Sequence, residues 1–535
     1  MYECPNCGGN LKFDIAAQQL SCGYCNTRVD PYSYQKEKDA EESTEYDVTV
    51  FTCPQCGAGL LSEDTTAATF CCFCGSTAIL DSRVSRERRP AHIIPFSRTK
   101  EDCKDSYKAM MRRAIFAPKE LKDEQFIEKF RGIYMPYWIY SFEKKGHVTF
   151  KGTEERQSGD YLITRHYNIT SDVDAAYEGI AYDAAASFSD DLSEAIAPFD
   201  LRKKQPFTPS YLSGFYADTG DVDRKVYQSD AQEMALSDSV SRMAEDFTCK
   251  QYHVKNSKNV YSIKNALRPD CTSAESAMLP VWFLSYRKGD RVAYAVVNGQ
   301  TGKVAADLPV DRKKYVIGSL LLAIPIFLLF NLKFTITPAI TLLLSAVLAF
   351  VCAGISVSQM RRIRKKEMRE DDKGYASAQK VSDDWVNYAQ TGQRVKRRPD
   401  TVLLRVIILF FAIIAFHTMV NMVGVMLAIN GIGTLVMWYV VFAILLVGIA
   451  AVYLRKRLGD QMKGMIPVLI KPILAILLAL VILILHPVSD LYYYGGAIVS
   501  MAAVIWTLMD IIGRYNVLTT RKLPQFNRRG GDHYA

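Results

Sequence analysis

Four Cys-x-x-Cys pairs crowd the first 74 residues, and they repeat. Cys4, Cys7, Cys22 and Cys25 form one set; Cys53, Cys56, Cys71 and Cys74 form a second, displaced by 49 residues throughout. In each set 14 residues separate the second cysteine from the third. A segment this short cannot bury enough apolar surface to fold on its own core. Four thiolates around one tetrahedral ion supply the missing free energy, and this spacing is that of two tandem Cys4 zinc ribbons. Between 4–25 and 53–74, 7 of 22 positions are identical and only four of those are cysteines, which points to a duplication. Gly8, Gly57 and Gly75 follow ligand cysteines where positive φ is expected, and Asn26 holds the fourth such place. Leu11 and Leu60 occupy equivalent positions suited to a small shared core.

The eight cysteines are therefore the expected metal ligands, with two structural Zn2+ ions as cofactors. Iron in a rubredoxin-like site uses the same Cys-Pro-x-Cys-Gly knuckle, but short ribbons favour zinc. Cys72 breaks the Cys-x-x-Cys spacing and is left off the metal; it is a bystander or a resolving thiol. A disulfide framework conflicts with a reducing compartment. No signal-peptide pattern precedes Cys4, so the N-terminal part is expected in the cytosol.

Hydrophobic content is 49% but unevenly spread. Residues 1–310 read as soluble, and 315–513 as a membrane domain of about six spans near 316–332, 336–358, 402–424, 432–454, 465–485 and 495–513. Each run is close to the roughly 20 residues a helix needs to cross a bilayer. Basic residues cluster on alternate connections: Arg312 to Lys314, twelve Lys/Arg in the loop 361–399, Arg455 to Arg457, and the tail 514–535. The positive-inside rule puts both termini in the cytoplasm of a multi-pass inner (cytoplasmic) membrane protein. Arg405, Lys471 and Asp510 fall near cytoplasmic helix ends, where snorkelling or local pairing accounts for them. His417 and Asn421 lie one turn apart and suit interhelical hydrogen bonding.

The expected organisation is multi-domain. It consists of two small β zinc ribbons at 1–30 and 49–80 joined by a linker at 31–48, a cytosolic α+β domain at 91–310, and the α-helical membrane domain. Within 91–310, Thr99 and Asp102 open a helix over 100–116, and Pro118 opens another to about Phe130. Residues 147–151 and 161–170 read as strands, 228–248 as a helix, and Lys288-Gly-Asp290 as a hairpin turn. Asn298-Gly-Gln-Thr-Gly302 reads as a turn. His92, His147, His166 and His253 share no motif, and no nucleophile elbow, H-E-x-x-H or phosphate loop appears. No enzyme activity is expected.

A series of short motifs runs in order behind the ribbons: Ile94-Pro-Phe96, Tyr134-Met-Pro-Tyr-Trp138, Tyr211-Leu-Ser-Gly-Phe215, Leu279-Pro-Val-Trp282 and Val297-Asn-Gly-Gln-Thr-Gly-Lys303. With the ribbons, they make roughly residues 1–330 resemble the bacterial YdjG-like tandem zinc-ribbon membrane proteins. The resemblance implies an envelope-associated scaffold concerned with envelope stress or membrane microdomains. It implies partners such as SPFH/flotillin-like, TPM-domain or phage-shock protein A-like proteins, and no catalytic residues. Membrane lipids are further partners, and a homo-oligomer is compatible with it.

Two other readings stand beside the scaffold. A membrane-tethered nucleic-acid-binding regulator is disfavoured by charge: residues 1–80 hold four basic against eleven acidic side chains. Each four-thiolate zinc site is formally −2, so two bring the formal +9 of the chain to about +5. A transporter with a zinc-ribbon regulatory domain would need internal symmetry or broken helices, and those signals are weak.

Overall fold

The computed structural model of the chain describes residues 2–33, 45–62, 71–76, 81–254, 260–333, 337–367, 372–374, 461–485 and 487–523. The chain divides into two compact units. The first comprises Met1–Leu308, Arg369–Gly392 and Thr520–Ala535; the second comprises Pro309–Met368 and Gln393–Thr519.

The first unit opens with a three-stranded antiparallel sheet, β1 (Leu11–Asp14), β2 (Gln19–Cys22) and β3 (Arg28–Val29). Its remaining strands join one twelve-stranded sheet. These are β4 (Glu45–Thr52), β5 (Gly59–Ser62), β6 (Asp81–Arg88), β7 (His92–Ile93), β8 (Arg131–Ser158), β9 (Tyr161–Asp183), β10 (Gln205–Pro206), β11 (Tyr216–Ala217), β12 (Asp270–Lys288), β13 (Arg291–Asn298), β14 (Val304–Ala306) and β15 (Arg521–Lys522). The helices are α1 (Lys100–Arg113), α2 (Glu124–Ile127), α3 (Asp190–Ile196), α4 (Lys225–Glu245), α5 (Phe247–Gln251) and α6 (Val260–Ala266).

Strand β12 organises the sheet. It pairs antiparallel with β8 and β13 and parallel with β7. Side chains alternate across a strand, so the long strands β8 and β12 feed two cores. Ile133, Met135, Tyr137, Leu279, Val281 and Phe283 enter one core; Tyr134, Met278, Trp282 and Leu284 enter the other. Burial on both faces explains why these strands lack the apolar–polar alternation of a half-exposed strand.

Several expectations change at this level. The second ribbon is not a separate module: β4 starts at Glu45 inside the expected linker, and β6 carries the pairing to Arg88. Strand β5 then joins β11, so the ribbon is continuous with the main sheet. The expected strands at 147–151 and 161–170 are parts of one antiparallel ribbon, β8 of 28 residues and β9 of 23, closed at Gly159 with φ +62°. Between Pro118 and Phe130 the chain makes a 3-10 turn, Lys119–Lys122, and then the short α2. The expected helix at 228–248 is α4 followed by α5. Helix α1 starts as expected, with Thr99 and Asp102 capping each other reciprocally.

The second unit contains α7 (Arg312–Lys333), α8 (Pro338–Glu367), α9 (Gln461–Leu485) and α10 (Asp490–Leu518). Among the described residues, three helices are long and apolar enough to cross a membrane: Pro338–Glu367, Val468–Leu485 and Asp490–Leu518. They coincide with the spans expected at 336–358, 465–485 and 495–513. Three of the six expected spans are thus supported among the described residues, and six are not. Residues 316–332 fall within α7, which is not among the three. The runs 402–424 and 432–454, with Arg405, His417 and Asn421, lie outside the described residues.

Helices α8, α9 and α10 meet through small residues, Ala346, Ala349, Ala475, Ala479 and Ala497, which let the backbones approach closely. Leu344, Leu348, Leu474, Ile498 and Ile505 remain exposed, an outer surface suited to lipid. Lys471 and Asp510 pair at 2.7 Å, and the ammonium lies 4.1 Å over the Trp506 ring. Local pairing thus accounts for both charges.

Candidate metal centres

Each Cys-x-x-Cys turn is built the same way. The residue after the second cysteine of the turn donates its N–H to the carbonyl of the first: Gly8 to Cys4, Asn26 to Cys22, Gly57 to Cys53 and Gly75 to Cys71, at 2.8–3.0 Å. All four adopt positive φ, +72°, +55°, +72° and +69°. That conformation is why glycine or asparagine stands there. A second bond closes each knuckle, such as Cys53 N–H to the Ala58 carbonyl at 2.8 Å.

The knuckles bring both cysteine sets together, and each set's four sulfurs lie within 4.8 Å of one another. Cys4 and Cys25 sulfurs are 3.5 Å apart, as are those of Cys7 and Cys22. In the second set Cys53–Cys74 and Cys56–Cys71 are 3.7 and 3.8 Å apart. A tetrahedron with Zn–S of about 2.3 Å has an S···S edge of about 3.8 Å. Disulfides would need about 2.05 Å, and every cysteine is free. Donor type, number and spacing therefore fit one zinc-like ion per set.

The two centres differ in surroundings. Cys53, Cys56, Cys71 and Cys74 are all fully buried, in one core with Phe73, Ile133 and Phe283. The Tyr294 hydroxyl donates to the Phe73 carbonyl at 2.6 Å, and Arg287 bonds the Gln55 amide oxygen at 3.0 Å. In the first centre Cys4 and Cys22 are buried, Cys25 is half-buried and Cys7 is exposed. The Thr27 hydroxyl, 3.0 Å from the Cys25 sulfur, and the Thr27 backbone N–H hold that thiol down to about 6. Thr27 carried no ligand signal in the sequence.

The first lobe docks through the Tyr211–Phe215 motif. Phe13 N–H donates to the Ser213 carbonyl at 3.0 Å, and the Ser213 hydroxyl donates to the Leu11 carbonyl at 2.6 Å. The Phe13 and Tyr211 rings meet edge to face at 5.0 Å. Gln18, at φ +53°, reaches the Phe96 carbonyl at 2.8 Å. The two clusters contribute to cores on opposite faces of the β8–β12 sheet.

Cys72 sits beside the second centre, with its thiol pushed up by burial and by Asp218. A buried neutral thiol is a poor nucleophile, which weighs against the resolving role. His92 pairs with Glu275 at 2.8 Å, and His147 pairs with Asp172. Neither joins a metal-ligating group among the described residues.

With this geometry in place, the comparisons add one relative. The chain is similar to a Bacillus subtilis (strain 168) protein named as uncharacterized protein YdjG, 28% identical over 325 residues, covering 58% of this chain and 91% of the relative. No family model matches, and no solved structure matches.

The ordered motifs behind the ribbons meet in one aromatic cluster. Phe96 stacks on Phe215 at 4.6 Å and contacts Tyr134 at 5.0 Å and Trp282 at 5.1 Å. The fifth motif closes over it: a Cβ on Gly299 would lie 2.6 Å from the Phe96 ring. These motifs therefore specify a core.

Proposed function

We propose that the chain is a membrane-anchored zinc-ribbon scaffold that recruits cytosolic partners at the inner face of a bacterial cell membrane. The observation that carries this reading is the joining of two elements in one chain. One is a compact unit with a Cys4 lobe contributing to the core on each face of its sheet; the other is a unit with membrane-length helices. Metal is built into the body as a fastening, with no ligand position left open for chemistry. Zinc at both centres serves folding, and no catalysis is assigned.

The β8–β9 ribbon is the surface we assign to partners. Among the described residues β9 pairs only with β8, so its other edge offers unpaired backbone N–H and carbonyl groups. At its tip Tyr161, Leu162 and Ile163 are 78%, 64% and 48% exposed. Strand addition along an open edge, with apolar anchors at the tip, is an established recognition mode. SPFH/flotillin-like, TPM-domain and phage-shock protein A-like proteins are the candidates to test.

The test is crosslinking and mass spectrometry of the full-length protein in its membrane, beside the double variant Tyr161→Ser, Leu162→Ser. Recovery of such a partner by the parent and its loss from the variant, with zinc content unchanged, is the expected result. A partner set unaffected by the variant removes the ribbon from the proposal. Absence of any cytosolic partner overturns the scaffold itself.

A further inference from the structure

Beyond α8, residues Asp372–Gly374 return to the first unit and seat against α3 and α4. Lys373 backbone N–H donates to Asp190 Oδ2 at 3.1 Å, and its ammonium pairs with Asp230. Tyr227 holds the other Asp190 oxygen, donating at 2.6 Å. Gly374 fits without room to spare: a Cβ there would lie 2.8 Å from the Tyr227 hydroxyl oxygen and 3.4 Å from Val222 Cγ2.

The seat is crowded with carboxylates. Asp183, at the end of β9, is 2% exposed, and its Oδ2 has no hydrogen-bond partner. Asp372 is 7% exposed. Asp183 feels the charges of both Asp190 and Asp372. Helix α3 adds Asp191 and Glu194, α4 adds Asp230 and Tyr227, and Tyr137 approaches from β8. Lys373 brings an ammonium to this set, engaged by Asp230, and the Arg521 guanidinium bonds the Ser189 hydroxyl at the start of α3.

A buried carboxylate with an unpaired oxygen beside two others is costly when ionised. Burial first, and the neighbouring Asp190 and Asp372 second, push the Asp183 carboxyl well above the ordinary range. Asp190 is pushed up as well, chiefly by burial, against the opposing bonds from Tyr227 and Lys373.

We propose that the segment Asp372–Gly374 is a proton-coupled latch, closed on α3 and α4 while Asp183 carries a proton and released when that proton leaves. Opening removes Asp372 and admits water, so the open form binds Asp183's proton more weakly. The closed form therefore holds more protons, and closure is favoured as pH falls and lost as pH rises through the raised Asp183 value. One coupled proton limits the change to about tenfold in the closed-to-open ratio per pH unit. The segment follows α8 in sequence, so the latch makes pH a determinant of how Asp372–Gly374 is held against α3 and α4.

Trypsin cleavage after Lys373 reads the latch directly. The full-length protein in lipid nanodiscs is digested between about pH 6 and 8.5, with rates divided by those of a free peptide of the same sequence to remove the protease's own pH dependence. Protection at the acid end, falling by about tenfold or more toward the alkaline end, is expected. Asp183→Asn keeps the shape without the charge and should stay protected throughout. Asp230→Asn removes the Lys373 pair and should be cleaved readily at every pH, with zinc content confirming the fold. Protection that does not vary with pH in the parent overturns the proposal, as does Asp183→Asn following the parental curve. Alkaline protection restored by added Mg2+ or Ca2+ also overturns it, because the compensating charge would then be a bound cation.

Discussion

Close packing makes single atoms decisive in the aromatic cluster. Phe96 is held between Phe215, Tyr134 and Trp282, so its ring has nowhere to retreat. Gly299→Ala would place a methyl 2.6 Å from that ring and 2.8 Å from Pro280. Overpacking of this kind costs about 1–3 kcal/mol, and a lower urea midpoint at unchanged zinc content is expected. Gly289→Ala, in the β12–β13 turn, meets nothing within 4 Å and strains only its φ of +64°. It should cost less, about 1 kcal/mol. If the two variants unfold alike, the ring contact is not what Gly299 serves. Residue-level features of the metal centres were legible in sequence because they are local: cysteine spacing, left-handed glycines and Asn26 all fall within a few positions of each other. The Asp183, Asp190 and Asp372 seat was not legible, because only tertiary folding brings those positions together.

At the scale of elements, similar motifs have different consequences. The first lobe packs on the body through hydrogen bonds and the rings of Phe13 and Tyr32 against Tyr211 and Phe215, but it exposes Cys7. The second has every ligand inside the main core. Local opening would suffice to free an ion held by the first set, whereas one held by the second would require the core to open. A chelator should therefore remove one ion roughly tenfold faster or more, equivalent to about 1.4 kcal/mol in opening free energy. Near-UV circular dichroism should report an intact core after the first release and loss of the core with the second. Cys4→Ser should abolish the fast phase and spare the body; Cys53→Ser should unfold the body. Simultaneous loss of both ions would contradict this difference. The sequence announced the two lobes but not this asymmetry, since identical knuckles say nothing of what packs around them. It also split the β8–β9 ribbon, because Lys144, Lys145, Glu154 and Glu155 make a solvated ribbon look like loop.

At the scale of the whole molecule, chain connectivity limits the membrane topology. The first unit is assembled from three stretches of sequence, and the last returns as β15, which pairs with β13 at Arg291–Lys522 and Val292–Arg521. A folded soluble body cannot be divided by a bilayer, because backbone left irregular in lipid is unsatisfied. On the proposed reading, with the first unit on one side of the membrane, each excursion into the second unit would make an even number of crossings. Helix α8 is long enough to cross once between Leu308 and Asp372, and on the proposed topology α7 would supply the return despite Pro325. Helices α9 and α10 already make an even pair. On the proposed topology, Arg312, Lys313 and Lys314, with the basic run after α8, would face the cytoplasm. Cysteines introduced at Thr337 and Val488 should react with a membrane-impermeant maleimide on intact cells, and one at Lys522 only after lysis. Labelling at Val488 with silence at Thr337 until lysis would mean that α7 and α8 do not cross. Crossing would then be left to α9 and α10 among the described helices.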